Sequence, residues 1–318
     1  MLLPNKQTDV LVAGELNIDL IMDRLDAFPQ LGKEIIAHRM LLTLGSSSAI
    51  LASNLSVLGT RVAFCGRVGR DNFAAKILAD LAARGVDTSS IIQSDSADTG
   101  LTVALSIAED RAMVTYPGAM SEFCATDITD GLLDSARHLH VSSVFLQPAL
   151  KPDLLTLFQR ARQKGLTTSL DPQWDPAEEW DLDLQQLLPL VNVFLPNAEE
   201  LKRLARRNSL EECLSSLAGN SHIIVVKKGN EGALLQQGPT RLHQPAFLNR
   251  EVADAIGAGD SFNAGFLHRY VKGAPLEECM AHGALCGAIN TTQNGGTTAF
   301  ADYKMVKQLA LEKFNVAI

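Results

Sequence analysis

Between Val252 and Leu267 the chain reads V-A-D-A-I-G-A-G-D-S-F-N-A-G-F-L, and its chemistry is concentrated in Gly257-Ala258-Gly259-Asp260. Phe262, Phe266 and Tyr270 recur every fourth residue behind that tetrad. This predicts a helix that begins there and stops at Lys272-Gly273, with Pro275 beyond. Small residues at a helix start let a phosphate reach unpaired backbone N–H groups, and the helix dipole favours its charge. A carboxylate in that place repels phosphate, so Asp260 must serve another purpose. One is to take a proton from a hydroxyl that attacks a phosphoryl group. The other is simply to cap the helix.

Two further carboxylates stand at informative places. Asn197 and Glu200 are three apart at the start of a helical stretch and share a face, the spacing of a capping box. Asp19 follows the first apolar run and is the acidic residue expected at a strand tip on the C-terminal edge of a sheet, where α/β proteins bind ligands. A carboxylate there can accept two sugar hydroxyls; a loop cap is the alternative. Asn17 and Asp171 are further candidates for the same cleft.

The elements that must position these residues alternate between short apolar runs and amphipathic stretches. Asp9–Gly14, Arg61–Gly66, His138–Leu146, Leu166–Asp171, Val191–Leu195 and His222–Lys227 read as buried strands. Helical patterns lie at Asn72–Arg84, Pro152–Lys164, Asn197–Arg206 and Leu210–Leu217, with Gly85 and Gly165 at two C-terminal ends. The alternation predicts a mostly parallel sheet with helices on both faces. Glu34–Leu44, Leu101–Ile107 and Ala112–Tyr116, the last two around the turn Ala108-Glu109-Asp110-Arg111, break the pattern. They are expected to form a small separate sheet, because parallel sheets do not use hairpins.

Taken together, these segments resemble the ribokinase-like carbohydrate kinases, the PfkB family, whose signature has the form D-T-x-G-A-G-D-x-F-x-A-G. Asp254, Gly257, Ala258, Gly259, Asp260, Phe262, Ala264 and Gly265 match it, with Ala255 in place of the usual Thr. Gly66-Arg67-Val68-Gly69-Arg70-Asp71, Arg84-Gly85-Val86-Asp87, Thr99-Gly100, Asn197-Ala198-Glu199-Glu200 and Lys227-Lys228-Gly229 with Gly232 extend the likeness in order along the chain. The resemblance implies one ribokinase-like α/β domain over residues 1–318, with a small β-sheet lid from about 16–44 and 98–118. It implies ATP-dependent phosphorylation of a sugar hydroxyl, with Asp260 as base and the amides of residues 257–260 as anion hole. Asp19, with Asn17 and Gly45, would hold the sugar; Asn197 and Glu200 would organise Mg²⁺; Lys227, Gly229, Gly232 and His282 would lie on the nucleotide side. Asp254 and the carbonyl of Ile256 match a monovalent-cation (K⁺) position. A nucleoside kinase of the same family, or a non-catalytic sugar-binding relative, is the alternative.

The chain departs from the family at Gly45-Ser46-Ser47-Ser48-Ala49-Ile50, where a second glycine has become Ser46 and a sugar-contacting asparagine has become Ile50. A lost hydrogen bond to a hydroxyl weakens binding of the usual sugars, so ribose and fructose are expected to be poor acceptors. Asn54, one helical turn later, could partly substitute.

Composition closes off other classes. The 318 residues carry 28 Lys+Arg against 36 Asp+Glu, a net charge of −8, which favours neither nucleic acid nor an anionic membrane. Five scattered cysteines without a C-x-x-C point to reduced thiols in a cytoplasm and to no zinc site. No H-E-x-x-H, Walker-type loop or G-x-G-x-x-G is present. A lid with few strands and apolar Leu42, Leu101, Val103 and Leu105 leaves exposed edges, so a homodimer joined through the lid is expected.

Overall fold

A computed structural model describes residues 6–107, 110–218 and 223–318. The turn expected at Ala108-Glu109 and the strand start at His222 lie outside the described residues. β1 (Thr8–Ala13) runs through the middle of the fold because it is apolar on both faces. Val10 and Val12 pack into one hydrophobic layer, and Leu11 and Ala13 into the layer on the opposite face. That two-sided burial is what a parallel strand requires.

The chain then leaves this sheet to make β2 (Asn17–Leu25) and β3 (Ala37–Leu44) and returns through α1 (Ser47–Val57) to β4 (Val62–Val68), α2 (Asn72–Ala83) and β5 (Asp87–Gln93). β6 (Gly100–Ile107) and β7 (Asp110–Tyr116) leave it again; α3 (Asp130–Ser135), β8 (Ala136–Ser142), α4 (Leu154–Gln163) and β9 (Thr167–Asp171) follow. Next come α5 (Leu184–Leu187), β10 (Val193–Phe194), α6 (Ala198–Ala205), α7 (Leu210–Leu217), β11 (Ile223–Lys227), β12 (Ala233–Gln237) and β13 (Thr240–Gln244). Three helices close the chain: α8 (Ala258–Tyr270), α9 (Leu276–Asn290) and α10 (Tyr303–Phe314).

The large sheet has the order β13-β12-β11-β10-β9-β8-β1-β4-β5, parallel except where β12 joins β11 and β13 joins β12. This antiparallel edge was absent from the sequence reading. Its cue is Gly238-Pro239, a two-residue turn between the paired Gln237 and Thr240. β5 was missed as well: D-T-S-S-I-I-Q has no apolar run, because an edge strand buries little.

The expected small sheet is present, with order β3-β2-β6-β7. One assignment changes here. Asp19 lies within β2 of the small sheet, paired with Thr43 and Thr102, not at a tip of the large one. The acidic residue at the C-terminal end of a large-sheet strand is Asp171, the last residue of β9.

Candidate active site

The first turn of α8 is shaped by close packing. Gly257 precedes it with φ 75°, and a side chain there would come within 2.6 Å of the Gly296 Cα. The helical ladder begins with Ser261 N–H donating to the Gly257 carbonyl at 2.8 Å. The Ala258 amide donates to the Ala255 carbonyl at 3.3 Å, while the amides that follow in this turn have no carbonyl within the helix to bond. Asp260 sits among them, 8% exposed. Its Oδ1 accepts from Ser47 Oγ at 2.5 Å and from Gln173 Nε2 at 2.9 Å. Burial pushes its pKa up to about 6, and the charge of Asp171 adds to that. The Ser47 hydrogen bond, the Lys227 charge and Gln173 pull against it. Asp260 is therefore ionised at neutral pH yet closer to neutrality than an exposed aspartate. A general base needs both properties.

Beside it, strand ends deliver a second set of charges. β9, β10 and β11 are neighbours in parallel, so Asp171 and Lys227 emerge two strands apart on the same edge. Lys227 Nζ reaches Asp171 Oδ2 at 2.6 Å. The fully buried Asp171 also accepts from Asn263 Nδ2 at 2.5 Å and Gln173 Nε2 at 3.1 Å. Burial works against the Lys227 ammonium, but Asp171, Glu200 and Asp260 outweigh it and hold its pKa above the ordinary value.

Asn197 and Glu200 do form a capping box on α6. Glu200 Oε2 accepts from the Asn197 backbone at 2.8 Å and Oε1 from its side-chain amide at 2.6 Å. Burial, with the charge of Asp171, raises the Glu200 pKa to about 7. Both residues also line the cavity. Each Glu200 oxygen keeps a lone pair, which suits contact with a hydrated ion; among the described residues no three His, Cys, Asp or Glu side chains form a ready cage. That sparse donor set fits Mg²⁺, which keeps most of its waters.

The cavity, of about 510 Å³, runs between the two sheets. Asp19, Thr102, Ala104 and Met113 line it from the small sheet, and Phe247, Val252, Ala288 and Thr291 line it from the rest of the chain. Asp260 lies on its wall with Gly257, Ala258 and Gly259; Lys227, Gly229, Gly232 and Ile256 also border it. Asn17 is buried beside Asp19 and donates to Thr102 Oγ1 at 2.7 Å. Gly45 lies directly beneath, where any side chain would collide with the Asp19 carboxylate. Ser46 caps α1 at φ 67° and ψ 124°, a conformation costly for a residue with a Cβ, and its hydroxyl donates to the Glu15 carbonyl at 2.5 Å.

Ile50, His282 and Asn54 stand elsewhere than the sequence suggested. Ile50 is buried and packs on Gly257 and Gly296, so it supports the first turn of α8 and is not among the cavity's lining residues. His282 turns into the α8–α9 interface, where Nδ1 lies 3.0 Å from the Gly265 carbonyl and the ring stacks on His268. It does not line the cavity either. Asp254 and Ile256 stand together just before α8. Asp254 already accepts from the amides of Ile256 and Gly295, each at 2.9 Å, and the Ile256 carbonyl accepts from Asn290 Nδ2 at 2.6 Å. Each of these oxygens keeps a further lone pair, as those of Glu200 do. Asn54, too, is internal: its amide donates to Ser261 Oγ and to the Gly296 carbonyl, each at 2.9 Å.

Sequence reasoning missed Ser47 and Gln173, which donate to Asp260. No local pattern marks them, since each is brought there by another element. The arrangement as a whole can ionise a hydroxyl next to a row of anion-binding amides.

Known proteins resemble this chain over most of its length. Residues 7–302 match the family described as pfkB family carbohydrate kinase. An uncharacterized sugar kinase of Archaeoglobus fulgidus is 32% identical over 231 residues, 71% of this chain and 89% of that protein. Among solved structures, a probable sugar kinase from Rhizobium etli CFN 42 superposes with a TM-score of 0.82 at 26% identity, covering 96% of this chain and 99% of that one. A putative ribokinase II from E. coli, solved in complex with ATP and Mg²⁺, shares the fold at TM-score 0.81 and 20% identity, covering 95% of this chain and 98% of that one.

Proposed function

The chain belongs to the pfkB family of carbohydrate kinases, and from that membership we propose that it transfers the γ-phosphoryl group of ATP, with Mg²⁺, to a hydroxyl of a small sugar. The observation that carries this reading is the buried Asp260 carboxylate in the first turn of α8, on the wall of the cavity with Gly257, Ala258 and Gly259. ATP and Mg²⁺ are the ligands of the E. coli fold neighbour, and the Asn197–Glu200 pair suits a hydrated divalent ion. Bound there, Mg²⁺ would neutralise charge on the phosphates.

In this reading Asp19 orients the acceptor beside the small sheet, and Asp260 takes the proton of the attacking hydroxyl. The first-turn amides of α8 receive the charge that develops on the transferring group. The nucleotide lies toward Gly229 and Gly232. The small sheet acts as a lid that excludes water from the transfer. Met40, Val114 and Tyr116 of that sheet are exposed, apolar surface that a second copy of the chain would cover in a lid-to-lid homodimer.

Among the described residues no helix is long and apolar enough to cross a membrane. The test of the function is coupled ADP release with MgATP and a panel of ribose, fructose, adenosine and 2-dehydro-3-deoxygluconate. Acceptor-dependent ADP formation with at least one sugar is expected. Turnover of adenosine alone would make it a nucleoside kinase, and none at all would overturn the assignment.

A further inference from the structure

Lys227 stands over the first turn of α8. A Cβ placed on Gly259 would come within 3.6 Å of Lys227 Nζ, which puts the ammonium against the stretch of backbone that carries the anion-binding amides. Among the described residues lining the cavity it is the one cationic side chain; Asp19, Glu200 and Asp260 are all acidic. The side chain is 12% exposed and its partner Asp171 is not exposed at all, so the open side of the ammonium faces the cavity. An ammonium has three N–H donors. Asp171 accepts one, and Asp171 cannot swing away because Asn263 and Gln173 hold the same oxygen. Burying a lysine is costly unless its charge is used, and carrying it to this turn requires the whole β9–β10–β11 edge.

Resting on the kinase reading above, we propose that Lys227 is a catalytic residue that binds the transferring phosphoryl group itself, and that Asp171 is the positioning residue that aims it. In the step, the acceptor hydroxyl oxygen bonds to the γ-phosphorus and the bond from that phosphorus to the β–γ bridging oxygen breaks. Its electron pair leaves with ADP, and the hydroxyl proton passes to Asp260. Lys227 keeps its proton throughout and stays hydrogen-bonded to a non-bridging oxygen of the moving group.

The competing explanation is that Lys227 only neutralises a buried Asp171. Calorimetric titration with ADP and with the β,γ-imido analogue of ATP, both with Mg²⁺, separates the two without needing the acceptor. Lys227→Met should weaken the analogue about tenfold or more, the scale of one charge-assisted hydrogen bond, while ADP changes less than twofold. Lys227→Arg should recover most of the loss. The double variant Lys227→Met with Asp171→Asn removes the stranded carboxylate and guards against misfolding; it should show the same selective defect. Equal weakening of both nucleotides, or recovery of normal analogue binding in the double variant, would overturn the proposal. Failure of the wild type to bind either nucleotide would instead sink the kinase reading on which it stands.

Discussion

Ser47 Oγ lies 2.5 Å from Asp260 Oδ1 across 213 residues of sequence. Ser47 is the first residue of α1, which starts where the chain returns from the small sheet, and Asp260 is in the first turn of α8. The bond therefore ties the proposed base to the element that follows the small sheet. It also favours the ionised carboxylate, because the hydroxyl donates to it.

Ser47→Ala removes that donor, so the Asp260 pKa should rise above its value of about 6. A base works only when ionised, so the acid limb of the kcat–pH profile should move to higher pH while activity at pH 8 to 9 changes little. A limb that stays in place would show that Ser47 does not bear on the base.

Glu200→Gln keeps a capping-box side chain at the third position of α6 but removes its charge. Stability should fall by less than about 1 kcal/mol, while the Mg²⁺ concentration giving half-maximal rate rises severalfold. An unaltered Mg²⁺ titration would leave Glu200 as a cap and nothing more.

Ile50 separates two accounts of specificity. Were it facing the sugar, Ile50→Asn with Ser46→Gly would favour ribose or fructose by tenfold or more. Packed instead on Gly257 and Gly296, a new amide there has no built partner, which costs about 1–3 kcal/mol. The double variant should lose stability and lower kcat/KM for all acceptors alike. A selective gain for one sugar would return Ile50 to the acceptor site.

Stability should be nearly level from about pH 5 to 8 and fall steeply below about 4.5. Burial holds His138, His140 and His268 at about 3, so their contribution is present above the ordinary 6.5 and is lost as the pH falls below it. Burial raises Glu15 and Glu200 to about 7 and Asp260 to about 6, so they contribute stability at low pH that is lost as the pH rises through those values. Between roughly 4.5 and 6.5 the two sets oppose each other. Below that window the histidines outweigh the raised carboxyls and are joined by the lowered Asp9, Asp71 and Asp127. Thermal midpoints across pH 3.5 to 8 check this; a midpoint that keeps rising toward pH 4 would contradict it.

What could be read from sequence followed the range of the interactions involved. The start of α8 and the Asn197–Glu200 box are each built within a few residues, and both were visible as spacing. The parallel core was visible because its strands are apolar on both faces. Ile50 and His282 were legible as helix positions but not in direction, since the face a helix presents is decided by its neighbours. Ser47, Gln173 and Asp171 converge on Asp260 and Lys227 only after the strand order β11-β10-β9 and the return through α1 are in place. No local pattern encodes that convergence.

The central claim is that Asp260 is the base of a sugar kinase, and Asp260→Asn tests it most directly. The variant keeps size and hydrogen-bonding capacity while losing the charge. With the best acceptor of the panel at pH 8, kcat should fall by about 10²–10⁴, with an unchanged thermal midpoint or a slightly raised one and with MgADP affinity retained. Near-normal kcat in a folded Asp260→Asn enzyme would contradict the account.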